Sequence, residues 1–367
     1  TSLLRIAATP AAASSTASLS HRYASSPARI RGSSSSPLAG RVRAQEAAAL
    51  VDRVRPHAGD VVNLSDNLIV YSNTVISRCT FGDTDYGVEG GGGGGGARLR
   101  KVFAEIEELL GTVPMGETVP CLRWVDVVTG LEKKTRRVFD EMDGLLERVI
   151  ADHRQRRGAG AATGEEGDFV DVMLDAEELD TGSIKGIILD MLAAATDSTF
   201  TLLEWAMAEL INHPHEMRKL QDEVRSAVGP GAGAVVTEEH LPRLPYLKAV
   251  VKEALHLHPP TPLLLPPETL ENTRLLGYDV PAASGGMGQD FAFLPFGAGR
   301  RGCPGVGFAM MSNELALASL MCNFDWELPG GRMPPVDLSE LHGLSVRLKA
   351  PLLLVAKPWM EVHERSN

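Results

Sequence analysis

One cysteine in a glycine-rich, arginine-flanked loop is the residue of this chain best placed to do chemistry. The run Phe296-Gly297-Ala298-Gly299-Arg300-Arg301-Gly302-Cys303-Pro304-Gly305 sets Cys303 two positions after an arginine. A helical pattern over Val306–Met321 follows at once. A thiolate is the ligand that pushes electron density onto haem iron and favours O–O cleavage. It must be deprotonated at neutral pH. A metal, a helix start and loop N–H groups all favour the anion. Glycines let the backbone approach a flat ring closely, and Arg301 can bond a propionate with charge assistance. A lone cysteine would read as a buried structural thiol. Each added position of this ten-residue pattern carries a separate physical demand.

A second constellation is Ala194-Ala195-Thr196-Asp197-Ser198-Thr199, inside a long helical pattern. A hydroxyl at Ser198 that bonds the carbonyl four residues back bends a helix and opens a groove. Taken alone, the hexapeptide also reads as ordinary helix with a solvated Asp197. Ile187, Met191, Ala194 and Ser198 share one face by spacing, as plain core residues would too.

The elements that must position these groups are mostly helical. Periodicity predicts helices over Arg41–Arg55, Val62–Phe81 (capped by Asn63 or Ser65), Leu99–Leu110 and Lys133–Arg156. A long helix follows, with Ser183 as N-cap and a stop at His213-Pro214. Glu216–Ala227 and Tyr246–His258 complete the set. Strand patterns come late, at Arg274–Val280, Phe324–Leu328 and Leu344–Ala356. The fold class is therefore mainly α, in an α+β domain. The glycine run 90–96 lacks the Gly-Lys-Ser/Thr of a phosphate loop and reads as linker. Residues 158–167 read the same way.

Bulk properties narrow the function classes. The net charge of −11 provides no basic field for nucleic acid. The 44% hydrophobic content argues against disorder throughout. No run of about 18 apolar residues appears. Cys79, Cys121, Cys303 and Cys322 form no CxxC pair, which argues against a zinc site or disulfide framework. Residues 1–40 contain Ala, Ser and Arg but no Asp or Glu. They read as a transit-like or unstructured start, leaving 41–367 as the domain.

Phe296, Gly299, Arg301, Cys303 and Gly305 together resemble the FxxGxRxCxG pattern of cytochromes P450. The stretches 108–130, 184–229, 241–280 and 291–359 also look like successive segments of plant members. The resemblance implies that family's fold, with a long central helix and a small late sheet, here incomplete. It implies haem b iron ligated by Cys303, with Arg301 on a propionate and Phe296, Gly299 and Gly305 shaping the cradle. It implies Asp197 and Ser198 as an acid–alcohol proton relay. It further implies monooxygenation of a small apolar molecule of the kind met in plant secondary metabolism. O2 and electrons from NADPH-cytochrome P450 reductase would be consumed, on the cytosolic face of the endoplasmic reticulum.

The chain also departs from the family pattern. The ExxR motif reads Glu253-Ala254-Leu255-His256, and histidine cannot reproduce arginine's planar fork. The arginine of the PERF segment has no counterpart, and roughly thirty residues are missing after Pro281 by segment order. Pro267 stands where relatives often place a propionate-binding residue. The membrane anchor and the WxxxR helix have no counterpart, and no arginine follows Trp124 at that spacing. A buried Glu253 deprived of both arginines is expected to be costly or protonated. Two alternatives therefore stand beside the monooxygenase: a truncated, non-catalytic relative with weak or no haem binding, and an apo helical interaction module.

Overall fold

In the computed structural model the described residues are 36–83, 105–106, 108–109, 112, 114–158, 167–176, 179–229, 235–264, 272–275, 277–280, 294–298, 302–331, 334–343 and 345–359. The expected helix at 99–110 and the glycine run fall largely outside them, as do Pro267, Gly299 and Arg301.

Four helices form the centre. These are α1 (Pro37–Val54), α2 (Leu64–Phe81), α7 (Thr181–Asn212) and α10 (Val306–Asn323). α2 packs along both α1 and α7, while α10 packs against α1 and α7. Local chemistry sets their ends. Ser36 accepts from the Ala39 N–H, and Pro37 opens α1 where its missing N–H costs nothing. That start lies four residues before the expected boundary at 41. Asn63 caps α2 through the Asp66 N–H, so Ser65 is not the cap. Ser65 is buried instead and donates to the Glu204 carboxylate. Asp180, not Ser183, caps α7, because the Ser183 N–H is itself the group being capped, at 2.7 Å. α7 does stop at His213-Pro214, and Pro214 opens α8 (Pro214–Val228).

Around this centre lie α3 (Met115–Thr118), α4 (Arg123–Val128), α5 (Leu131–Gly158), α6 (Phe169–Leu174) and α9 (Pro245–Leu257). The short α3, α4 and α6 carry too few turns for periodicity to reveal. A three-stranded antiparallel sheet pairs β1 (Val61–Asn63) and β4 (Phe324–Glu327) with β7 (Leu353–Pro358). Two hairpins complete the described strands: β2 (Thr273–Leu275) with β3 (Tyr278–Val280), and β5 (Glu340–His342) with β6 (Val346–Leu348). The expected strand at 344–356 is thus two strands in different sheets.

Two apolar cores meet on α7. Its first half, including Ile184, Ile188 and Leu192, packs with α5 and α6. Its second half, from Phe200 to Ile211, packs with α1, α2, α9 and α10. Full burial of each such side chain contributes roughly 1.5–3 kcal/mol, so both ends of α7 are firmly held. The stretch 194–199 lies at the seam and carries buried Thr196, Asp197 and Thr199. By length and composition α7 would also suffice to cross a membrane, yet here it is the core helix, with two-thirds of its most apolar window buried.

Candidate functional site

Cys303 is held by the backbone of its own loop. Its N–H donates to the Phe296 carbonyl at 2.8 Å, and the Gly297 N–H donates to Leu294 at 3.0 Å. Gly297 has φ +66°, a left-handed conformation that a side chain would strain. Phe296 is half-buried against the larger core. A Cβ at Gly305 would lie 3.8 Å from the Cys303 sulfur, so contact with the sulfur alone does not demand glycine there. The Cys303 side chain is open on one side, while packed backbone on the other desolvates the sulfur. That desolvation pushes the thiol pKa up, against a bond from the Gly305 N–H that pulls it down. The protein alone therefore favours the thiol, and a bound cation is what would favour the thiolate.

α10 begins directly after this loop. Phe308, five residues past the cysteine, packs against both apolar cores. The cysteine's helix thus touches both of the cores that meet on α7. Arg43 of α1 is buried, lies 5.5 Å from the Phe308 ring centroid and bonds Glu238 at 2.6 Å.

On α7 the Ser198 hydroxyl donates to the Ala194 carbonyl at 2.8 Å, as expected. Ala194 itself is exposed, and Met191, Ala195 and Ser198 are half-exposed, although Ala193, Thr196 and Asp197 are buried. One strip of a core helix is left open at the seam. Ile187, expected on the same face, is buried in the second core, so the opening begins after it. Asp197 turns away from the strip: its carboxylate accepts from both the hydroxyl and the N–H of Ser345. Burial raises its pKa; the Ser345 bonds and nearby Arg347 act against this. Two turns further on, Glu204 accepts from Ser65 and from the Leu348 N–H. Burial pushes its pKa up to about 7.

Glu253 and His256 contradict the expected buried remnant. Their side chains are 63% and 55% exposed and form a 3.4 Å pair on the surface of α9. Solvent reaches the carboxylate, so losing the arginine leaves no buried charge. The histidine that is packed lies two residues on. His258 stacks on Trp205 with ring centroids 3.8 Å apart and bonds Glu209 at 2.7 Å. The Trp205 indole N–H in turn donates to the Val346 carbonyl.

Sequence reasoning missed two groups at the seam. Ser72 of α2 donates to the Thr196 carbonyl at 2.5 Å, and the buried Thr199 hydroxyl has no hydrogen-bond partner. Neither is visible without the α2–α7 crossing. Elsewhere among the described residues, His153, Asp168 and Asp171 bring ligand atoms within 4.8 Å. They bond to one another and to Arg156, whose Nη2 is 2.9 Å from His153 Nε2, and Asp168 caps α6. This cluster is a structural network.

The open cysteine and the Gly297 turn are residues that would hold an iron-bearing ring, with Cys303 supplying the donor atom.

Comparison with known proteins identifies the family and its haem cofactor. The family model described as Cytochrome P450 matches residues 19–285 and 283–355. The two matched stretches meet where segment order places the gap after Pro281. Cytochrome P450 71A1 of Persea americana is 37% identical over 359 residues, covering 86% of this chain and 70% of its own length. Cytochrome P450 71A2 of Solanum melongena is 38% identical, with the same two coverages. A zebrafish cytochrome P450 structure determined with progesterone superposes with a TM-score of 0.72 at 21% identity, over 90% of this chain and 81% of that one. That likeness supports the fold alone.

Proposed function

The chain belongs to the cytochrome P450 family, and from that premise we propose that Cys303 anchors haem for insertion of one oxygen atom of O2 into a small apolar molecule. Family membership makes the chain a haem-thiolate monooxygenase by type, using O2, an organic substrate and a redox partner. NADPH-cytochrome P450 reductase as the electron donor, and plant secondary metabolites as substrates, belong to the proposal.

The observation that carries it is the open thiol of Cys303, in a loop fixed by its own backbone bonds at the start of a helix that packs against α7. When bound, the haem iron supplies dioxygen binding and O–O cleavage. The chain's own residues do the rest. Cys303 would ligate the iron as thiolate, its backbone held by its own N–H on the Phe296 carbonyl and its sulfur bonded by the Gly305 N–H. Arg301, Phe296, Gly299 and Gly305 are assigned to the cradle, Arg301 through a propionate. Ser198 Oγ holds a proton against the Ala194 carbonyl and delivers it by rotating towards the open strip. Asp197, its pKa raised by burial, is assigned to proton supply, for which its carboxyl must leave Ser345. Ala194 and Met191 bring apolar surface to the substrate side, which favours apolar ligands.

The test is the reduced carbon monoxide difference spectrum of wild type, Cys303→Ser, Cys79→Ser, Cys121→Ser and Cys322→Ser. The thiolate-type band is expected in every protein except Cys303→Ser. A band that survives in Cys303→Ser would refute the assignment. A second reading, a haem protein with poor turnover, is favoured by the two-piece family match at 283–285. Rebuilding the missing segment from a plant relative should then raise haem occupancy and product formation. Equal values with and without the segment would make the shortened chain a competent enzyme.

A further inference from the structure

We propose that Ser72 is a positioning residue for the reactive stretch of α7: its hydroxyl holds the Thr196 carbonyl and so sets the orientation of Ser198. This inference rests on the monooxygenase reading above. Ser72 lies on α2, 124 residues away in sequence, and is fully buried. A serine hydroxyl has a single proton to donate, and here it goes to the Thr196 carbonyl at 2.5 Å. Two residues further along α7, the Ser198 hydroxyl takes the Ala194 carbonyl at 2.8 Å. Two carbonyls of one helical turn, 194 and 196, therefore accept side-chain hydroxyls from different sources. A hydroxyl that competes for a helix carbonyl tilts that peptide and bends the helix. Ser198 bends the turn from within, while Ser72 fixes it to α2 from outside.

The surroundings make this contact decisive for the turn. The Asn73 Oδ1 beside Ser72 and the Thr199 Oγ1 are buried without hydrogen-bond partners. Neither of them takes the Ser72 proton, which goes to the Thr196 carbonyl. The apolar cores on either side grip α7 before residue 194 and after residue 199. Between those grips Ser72 cross-links α2 to the α7 backbone, while the Asp197 side chain is held separately by Ser345. Moving the Thr196 carbonyl would carry the 196–197 peptide with it, and the Ser198 side chain next along the chain.

Thr80 supplies the control. It is a buried hydroxyl on the same helix, but it donates to Ile76 of its own helix at 2.7 Å. Ser72→Ala, Ser72→Cys and Thr80→Val are compared with wild type as haem-loaded protein. Cysteine keeps the size of serine with a weaker donor. Hydrogen exchange is read on peptides covering 193–202. Peroxide released per NADPH consumed is read with reductase and dioxygen and no added substrate. Ser72→Ala is expected to speed exchange in that stretch at least tenfold and to shift the peroxide ratio at least twofold. Ser72→Cys should fall between, and Thr80→Val should match wild type in both. Haem content should be unchanged throughout. Equal exchange in Ser72→Ala and Thr80→Val would overturn the proposal, as would faster exchange with an unmoved peroxide ratio. Loss of the carbon monoxide band in wild type would instead defeat the monooxygenase reading, and the exchange comparison would still decide whether Ser72 holds α7.

Discussion

Two glutamate–histidine pairs involve the end of α9, and they lie in opposite environments. On its outer face Glu253 and His256 meet at 3.4 Å with both side chains more than half exposed. At its inner end His258 meets Glu209 at 2.7 Å, and neither side chain is more than 18% exposed. The outer pair is screened by water, and such pairs contribute about 0–1 kcal/mol. The inner pair is supported by the Trp205 stack, and Trp205 ties α7 to β6. The outer position is the one that departs from the family motif, yet the inner one carries the structural weight. A missing motif residue is expensive only where its partner is left buried.

The comparison extends along the inner wall to Glu204, which gives the largest expected effect. In the folded chain its pKa is about 7, against 4.5 for a free glutamate. Below pH 4.5 the carboxyl is protonated in both states and pH has no influence through it. Between pH 4.5 and about 7 the unfolded chain releases this proton while the folded chain keeps it. Each unit then costs roughly 1.4 kcal/mol, so stability falls by about 3 kcal/mol as pH rises across that window. Above it the contribution levels off. Glu204→Gln keeps an acceptor for Ser65 and Leu348 and should flatten the slope in urea titrations at several pH values. An unchanged slope would place Glu204 with the outer pair.

His258→Ala is expected to cost about 2–3 kcal/mol, since it removes an aromatic stack and leaves Glu209 half-satisfied. Chemical denaturation against wild type measures it. His256→Ala and His256→Arg should each stay within about 0.5 kcal/mol, the range of ordinary surface changes. A gain of several kcal/mol from His256→Arg would show that the arginine finds a buried partner and would break the contrast between the two faces. The smallest effect is expected at Ser198. Ser198→Ala should leave stability within about 0.5 kcal/mol while raising peroxide per NADPH, because Ser198 faces the open strip.

How much of this was legible in the sequence depends on how local the cause is. The cysteine loop was legible because its demands fall within ten consecutive residues. The long helices were legible through periodicity, and α7 ends where Pro214 requires. Asn63 was one of two caps offered for α2, and the α7 cap was misplaced by three residues, because Ser65 and Ser183 are good cap types. Only the fold shows that Ser65 points inward to Glu204 and that the Ser183 N–H is bonded by Asp180. β1 was missed because three residues become a strand only through pairing with Leu353–Val355, almost three hundred positions away. The exposure of Glu253 and the Ser72–Thr196 bond are equally remote. Both depend on which helix lies alongside, and no local pattern encodes that.

The four thiols sort themselves by access, and this turns haem loading into something an alkylating reagent can count. Burial pushes the Cys79 thiol up to about 12, against the nearby Arg43 and Arg78 charges, and Cys322 is buried with its thiol also pushed up. Both resist modification at neutral pH. Cys121 and Cys303 are exposed. Mass spectrometry of the haem-free chain after iodoacetamide treatment should find adducts at these two sites, more slowly at Cys303, whose thiol is also pushed up by burial. Iron ligation at Cys303 removes one of them, and Cys121 remains as the internal standard against which loading is read.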